Sequence, residues 1–153
     1  MKSQGKTTLS TRLEEKIEKI EELLERLAIQ SAKGTPIIVE GQNDINTLRK
    51  LALCGDIIAA KTKKSFLALV TEIEKLDVEE VILLMDFDRR GKEWTKRLTH
   101  YLEQTKVKPN TFFWQELHNL LGHAVKDIEG ILPYLHTLKK KSGNSQTIIK
   151  RKL

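Results

Sequence analysis

Strand-length apolar runs recur in this chain at intervals too long for hairpins. Pro36-Ile37-Ile38-Val39-Glu40, Asp56-Ile57-Ile58-Ala59-Ala60 and Val81-Ile82-Leu83-Leu84-Met85 are short aliphatic runs with no polar residue inside them. A strand buried on both faces belongs in a parallel sheet, whose crossover connections lay helices over each side. The intervening segments have the helical spacing this requires. Residues 44–53 gather Ile45, Leu48, Leu51 and Ala52 on one side, and residues 65–76 gather Phe66, Leu69, Val70, Ile73 and Leu76. Residues 91–105 read as a third helix. Thr111-Phe112-Phe113-Trp114 is expected as a fourth strand, and Asp127 to Lys141 as a last helix with Pro133 as a kink or break. Residues 115–126 fit neither pattern clearly.

Before this alternation, residues 11–33 read as one helix opened by Thr11-x-x-Glu14, the spacing of a capping box, after a polar and disordered start over residues 1–10. Gly5-Lys6-Thr7 is a fragment of a phosphate loop without its upstream glycine or preceding strand, and is rejected as a nucleotide site. Leu13, Ile17, Ile20, Leu24 and Leu27 form one apolar stripe. Two heptads fall short of a coiled coil, so the stripe is expected to lie across its own domain. A homodimer or a protein partner on this helix is the alternative. The division is then residues 1–33 (polar segment and amphipathic helix), 34–138 (the α/β domain) and 139–153 (a basic tail). The charge supports the last boundary. Of 27 Lys and Arg, six lie in residues 139–153, which hold no acid, so residues 1–138 carry 21 bases and 21 acids. The net charge of +6 is that of the tail, an arm suited to phosphates. The lone Cys54 excludes a disulfide framework and a cysteine zinc site. No apolar run reaches the roughly 18 residues of a membrane span, and no signal peptide opens the chain, so a cytoplasmic protein without membrane contact is expected.

Three carboxylates stand at strand ends. Glu40 closes the first strand, Asp86 closes the third, and Asp88 follows two residues later. Ligands of open parallel sheets bind at the carboxyl ends of strands. In extended chain Asp86 and Asp88 point to the same side. Glu40 and Asp86 meet only where the first and third strands are neighbours, which implies the order 2-1-3-4. The fold expected is therefore a Rossmann-like, three-layer α/β domain with that four-stranded parallel sheet and an added N-terminal helix. Carboxylates brought together repel and call for a cation. Oxygen donors without cysteine or a well-spaced histidine pair suit Mg²⁺ or Mn²⁺. The bland alternatives are caps: Asp88 for the following helix, Asp44 for the one after Gly41.

Val39-Glu40-Gly41-Gln42-Asn43-Asp44 and Leu83-Leu84-Met85-Asp86-Phe87-Asp88-Arg89-Arg90-Gly91 resemble the two motifs of the Toprim domain. That domain is shared by bacterial-type primases, type IA and type II topoisomerases, overcoming-lysogenisation-defect nucleases, recombination mediator proteins and the ribonuclease that matures 5S ribosomal RNA. The resemblance covers about residues 35–135 and is strongest to small stand-alone Toprim proteins of archaea and bacteria. It implies that Glu40 acts as general acid or base, that Asp86 and Asp88 hold Mg²⁺ with Glu40 as a further ligand, and that Asp44, Gly41 and Gly91 shape or support the site. It also brings in Asp127 and Glu129 as candidates for a second metal, although acids there equally suit a helix start. The chain departs from type IA topoisomerases at Lys92, where they carry Glu; Glu93 comes one place later.

Arg89, Arg90 and Lys92 follow the Asp pair, and Lys61, Lys63 and Lys64 follow the second strand at the same sheet edge. All six are expected to contact a nucleic-acid backbone, DNA or RNA. His118 and His123 read as structural or surface residues, and Trp94, Phe112, Phe113 and Trp114 as core. Two functions follow: a metal-dependent nuclease or RNA-processing enzyme, or a non-catalytic nucleic-acid-binding or assembly module in a repair, replication or RNA-processing complex. A stand-alone primase is disfavoured by the lack of zinc-ribbon cysteines.

Overall fold

The computed structural model describes residues 4–143, with side chains from Leu9 onward. The elements run α1 (Gln4–Ala32), β1 (Ile37–Val39), α2 (Gln42–Lys50), β2 (Ile57–Ala59), α3 (Phe66–Lys75), β3 (Glu80–Leu83), α4 (Arg89–Leu102), β4 (Lys108–Asn110), α5 (Phe112–Leu121) and α6 (Ile131–Ser142). Single 3-10 turns lie at Ala60–Thr62 and Ile128–Gly130. The strands make one parallel sheet in the order β2-β1-β3-β4, with helices on both sides. This is the order that convergence of Glu40 and Asp86 requires.

The two central strands explain why their sequences are apolar on both faces. Ile37, Ile38, Val39 and Val81 through Met85 are all excluded from solvent. Each such side chain contributes about 1.5–3 kcal/mol relative to exposure. Helices α3 and α4 pack on each other, α2 packs on β2, and α1 lies across α5 and α6. Ser31 ties the end of α1 to the sheet: its hydroxyl accepts the Gly55 N–H at 2.9 Å, just before β2.

Four expectations change. Helix α1 is already formed at Gln4, so Thr11 lies inside it and does not open it, and residues from Gln4 to Ser10 are helical rather than disordered. Its stripe of Ile17, Ile20, Leu24 and Leu27 is, as expected, buried within the chain's own core, on the helix that packs against α5 and α6. The fourth strand is Lys108–Asn110, not 111–114. Pro109 can sit in β4 because this is an edge strand, where a missing N–H is tolerated. Phe113, Trp114, Leu117 and Leu121 instead form the buried face of α5, the helical spacing that an isolated apolar run conceals. The last helix starts at Ile131, after the 3-10 turn that Asp127 caps, and Pro133 falls in its first turn, where no intrahelical N–H is needed.

The boundary drawn at residue 139 also falls inside α6. Lys139 is not in a solvated arm: it is buried, with Nζ 2.8 Å from Glu21 Oε2. Lys140 and Lys141 are exposed on the same helix, and Lys150, Arg151 and Lys152 lie outside the described residues. Among the described residues no helix is long and apolar enough to cross a membrane.

The Lys139–Glu21 pair joins the added helix to the end of the domain. Taking the cation from a buried carboxylate typically costs about 3–5 kcal/mol, whereas replacing both partners by apolar groups is near neutral. Lys139→Met is expected to lower stability in a urea titration by about 3 kcal/mol. Glu21→Leu/Lys139→Met is expected to recover most of it. Equal stability of Lys139→Met and wild type would show that the pair does not hold α1 in place.

Candidate functional site

Parallel pairing of Ile37 with Ile82 and of Ile38 with Leu83 sets the carboxyl ends of β1 and β3 side by side. Glu40 follows β1 directly and is buried. Its Oε2 accepts the Asp86 N–H at 3.2 Å, and its Oε1 accepts a hydrogen bond from Arg90 Nη2 at 3.1 Å. One side chain thus holds two strand ends and the first turn of α4. Asp86 is pinned from the other side too: its carbonyl accepts the Trp114 indole N–H at 3.1 Å. Trp114, read as core, is therefore a positioning residue for Asp86, and only the helical reading of 112–121 could have revealed it. Gly91 packs against the same backbone. A Cβ there would collide with the Asp86 carbonyl oxygen, so glycine is required for close approach. Gly41 is different. Its backbone is extended and a Cβ would only touch the Lys61 side chain.

The Asp86 carboxylate is left exposed to its neighbours' charge. Oδ1 is buried and has no hydrogen-bond partner among the described residues. Burial, then the negative charges of Asp44, Glu40, Asp88 and Asp127, push its pKa up to about 7. Asp44 is also raised, first by burial; the Gly41 N–H, 3.0 Å from its Oδ2, opposes this, and Glu40, Glu129 and Asp127 add to it. Asp127 and Glu129, which the resemblance brought in, therefore bear on this cluster, Asp127 on both acids and Glu129 on Asp44. Asp88 does cap α4, accepting the Gly91 N–H at 2.8 Å, and Asp127 caps its 3-10 turn, accepting the Gly130 N–H at 2.9 Å. Cap and charge coexist, since the Asp88 charge still raises Asp86.

Among the described residues no three acidic, histidine or cysteine side chains converge as a ready-made metal cage. Glu40 is committed to Arg90 and to a backbone N–H, which argues against the ligand role expected for it. Asp86 and Asp88 nevertheless fit a cation of the Mg²⁺ type. Mg²⁺ takes one or two carboxylates and completes its shell with water and phosphate oxygens. A buried, unpartnered oxygen among like charges is what such an ion relieves.

The six bases have different surroundings. Arg90 binds Glu40 and lies over the Trp94 ring, 5.4 Å from its centroid. Lys63 is drawn away to Glu72 at 2.7 Å. Lys61 donates its backbone N–H to the Glu40 carbonyl and rests its aliphatic chain by Gly41, while Lys64 is exposed. Arg89 and Lys92 line a cleft together with Asp88, and His118 and His123, read as structural or surface residues, also lie there.

Asp86 makes stability depend on pH with a definite sign. Its folded pKa lies above the ordinary 3.8, so its contribution is fully present below about pH 4 and is lost as pH rises through about 7. In chelator, the stability of wild type minus that of Asp86→Asn is expected to fall by up to about 4 kcal/mol between pH 4 and pH 8. Thermal melts of both across that range check it; a pH-independent difference would show that Asp86 titrates normally.

Comparison with known proteins agrees with this geometry. Residues 35–120 match the family model of the Toprim domain, a nucleic-acid-related, metal-binding fold. A UPF0292 protein of Methanosarcina acetivorans is 36% identical over 130 residues, covering 85% of this chain and 89% of that one. A UPF0292 protein of Methanocaldococcus jannaschii is 38% identical over 126 residues, covering 82% and 96%. A solved structure of a protein from Aquifex aeolicus superposes with a TM-score of 0.61 at 26% identity, covering 71% of this chain and 94% of that one. With both motifs at the facing ends of β1 and β3 and the match running through β4 and most of α5, the chain belongs to the Toprim domain family and groups with the UPF0292 proteins.

Proposed function

We propose that this protein cleaves phosphodiester bonds in nucleic acid with the help of Mg²⁺ or Mn²⁺. The observation that carries the reading is the buried, unpartnered Asp86 oxygen, held rigidly among four other carboxylates. Asp86 and Asp88 would hold the ion. When bound, the ion neutralises charge on the phosphoryl group and on the departing oxygen.

The chain's own residues supply the rest. The Glu40 and Trp114 hydrogen bonds fix the Asp86 backbone, so the carboxylate needs little rearrangement to meet a substrate. Arg90 is about half exposed, its pairing with Glu40 reachable from solvent. A guanidinium in that position can turn to an incoming phosphate, which it grips in a forked geometry. Glu40 Oε1 is then free to hold or move a proton on a substrate oxygen. Asp44, tied to the Gly41 N–H, keeps the turn between β1 and α2 in shape.

The Glu40–Arg90 pairing favours a second reading: a nucleic-acid-binding module in which Glu40 is structural and no bond is broken. One experiment separates the two. Wild type, Glu40→Gln and Asp86→Asn are incubated with end-labelled single- and double-stranded DNA and RNA in Mg²⁺ or Mn²⁺. Cleavage by wild type, reduced about 100-fold or more in both variants, is expected. Unchanged cleavage in the variants would remove these residues from the chemistry, and binding without cleavage by all three would establish the module.

A further inference from the structure

Beside the carboxylates lies a cleft of about 580 Å³, the size of sites that hold a nucleotide-sized group. Asp88 stands on its wall, with Arg89 and Lys92 from α4, and with His123 and Lys126 from the segment after α5. The walls are tied together by a short backbone bond from the Phe87 N–H to the Lys126 carbonyl, 2.7 Å. Phe87 and Val125 give it an apolar floor. His118 closes one side, stacked on Phe87 with centroids 5.9 Å apart and 12° between planes, its Nδ1 buried without a hydrogen-bond partner among the described residues.

The charge here differs from that of the neighbouring site. Arg90, Lys63 and Lys139 are paired with carboxylates. Among the described residues no ion pair holds Arg89, Lys92 or Lys126, and the cleft sets these three fixed cations against one carboxylate, Asp88. Its net charge of +2 exceeds what an internal phosphodiester, with a single negative charge, neutralises. It matches a phosphate monoester, which carries about −1.5 to −2 near neutral pH. The two histidines add ring nitrogens to the wall.

We propose that this cleft binds the terminal phosphate monoester of a nucleic-acid strand, so that the adjoining phosphodiester falls at Asp86 and Asp88. This rests on the nucleic-acid reading above and extends it: the protein works from phosphorylated ends. Asp88 joins the two places, since it lines the cleft and its charge bears on Asp86.

Binding in chelator isolates the cleft from catalysis. Fluorescence anisotropy would compare single strands of one sequence ending in 5′-phosphate, 3′-phosphate or hydroxyl groups, with a nucleoside monophosphate and inorganic phosphate as competitors. About tenfold tighter binding of one phosphorylated end is expected, the worth of one or two charge-assisted hydrogen bonds. In Lys126→Gln/His123→Gln the ratio of phosphorylated to hydroxyl-ended affinity should fall to about one. Both side chains are at the surface, and a thermal melt confirms that the variant folds. Equal affinity for all ends in wild type, a preference that survives the double variant, or binding of the monophosphate with no preference among strands would each overturn the proposal. Cleavage without end preference would leave the role of the carboxylates standing and remove the cleft; end preference without cleavage would do the reverse.

Discussion

A single buried carboxylate, Glu40, sets the geometry on which this site depends. Parallel strands leave their last N–H and C=O groups unpaired at the sheet edge, and such groups when buried must find partners. Glu40 supplies one for Asp86 and takes another from Arg90, while its own carbonyl accepts the Lys61 N–H. The ends of β1, β2 and β3 and the start of α4 are therefore registered by one residue. A shorter side chain would leave the Asp86 N–H without its acceptor, and a neutral one would weaken the hold on Arg90. The acid is part of the fold before it is part of any chemistry.

That arrangement gives Asp86 an unusual status. Its backbone is held by Glu40 and Trp114 and crowded by Gly91, yet its carboxylate oxygen lacks a partner. Burial and then the surrounding acids raise its pKa, which makes its ionisation at neutral pH a free-energy cost. Strain of this kind persists only where the framework is stable enough to enforce it. The framework here is the sheet centre, where β1 and the Val81–Leu83 part of β3 are buried, and the cross-braces of Ser31 to Gly55 and Glu21 to Lys139. Binding of a cation would convert the cost into affinity.

Much of this was legible in the residues, and the exceptions have physical reasons. The three aliphatic runs marked the sheet, because a strand apolar on both faces belongs between covering helices, and the need for Glu40 and Asp86 to meet gave its order. The fourth strand was misplaced because Phe112, Phe113 and Trp114 are adjacent, a pattern that fits a strand as well as the buried side of a helix; the true strand, Lys108–Asn110, has an edge strand's polar composition and no pattern to detect. The tail was drawn too early because Lys139 looks like its exposed neighbours Lys140 and Lys141. One residue of a helix turns through about 100°, and that rotation buries the first and exposes the others. Trp114 and Lys126 reach the site through a carbonyl contact and a backbone bond, neither of which leaves a mark on residue type.

The same rotation divides the basic run that follows the Asp pair. Arg89 and Lys92 are three apart and therefore neighbours on α4, whereas Arg90 is one step around the axis. The structure follows this division: Arg89 and Lys92 face the cleft that Asp88 also lines, and Arg90 turns back to Glu40 and Trp94. A run that reads as one phosphate-binding patch is thus divided into two groups of cations. One is a cation already paired with a buried acid, which an incoming phosphate must compete for. The other is a pair of cations with no protein partner among the described residues, which a phosphate meets at no such cost. An anion would then settle first on Arg89 and Lys92 and draw Arg90 from Glu40 second. Release of Glu40 would be conditional on a substrate long enough to reach both.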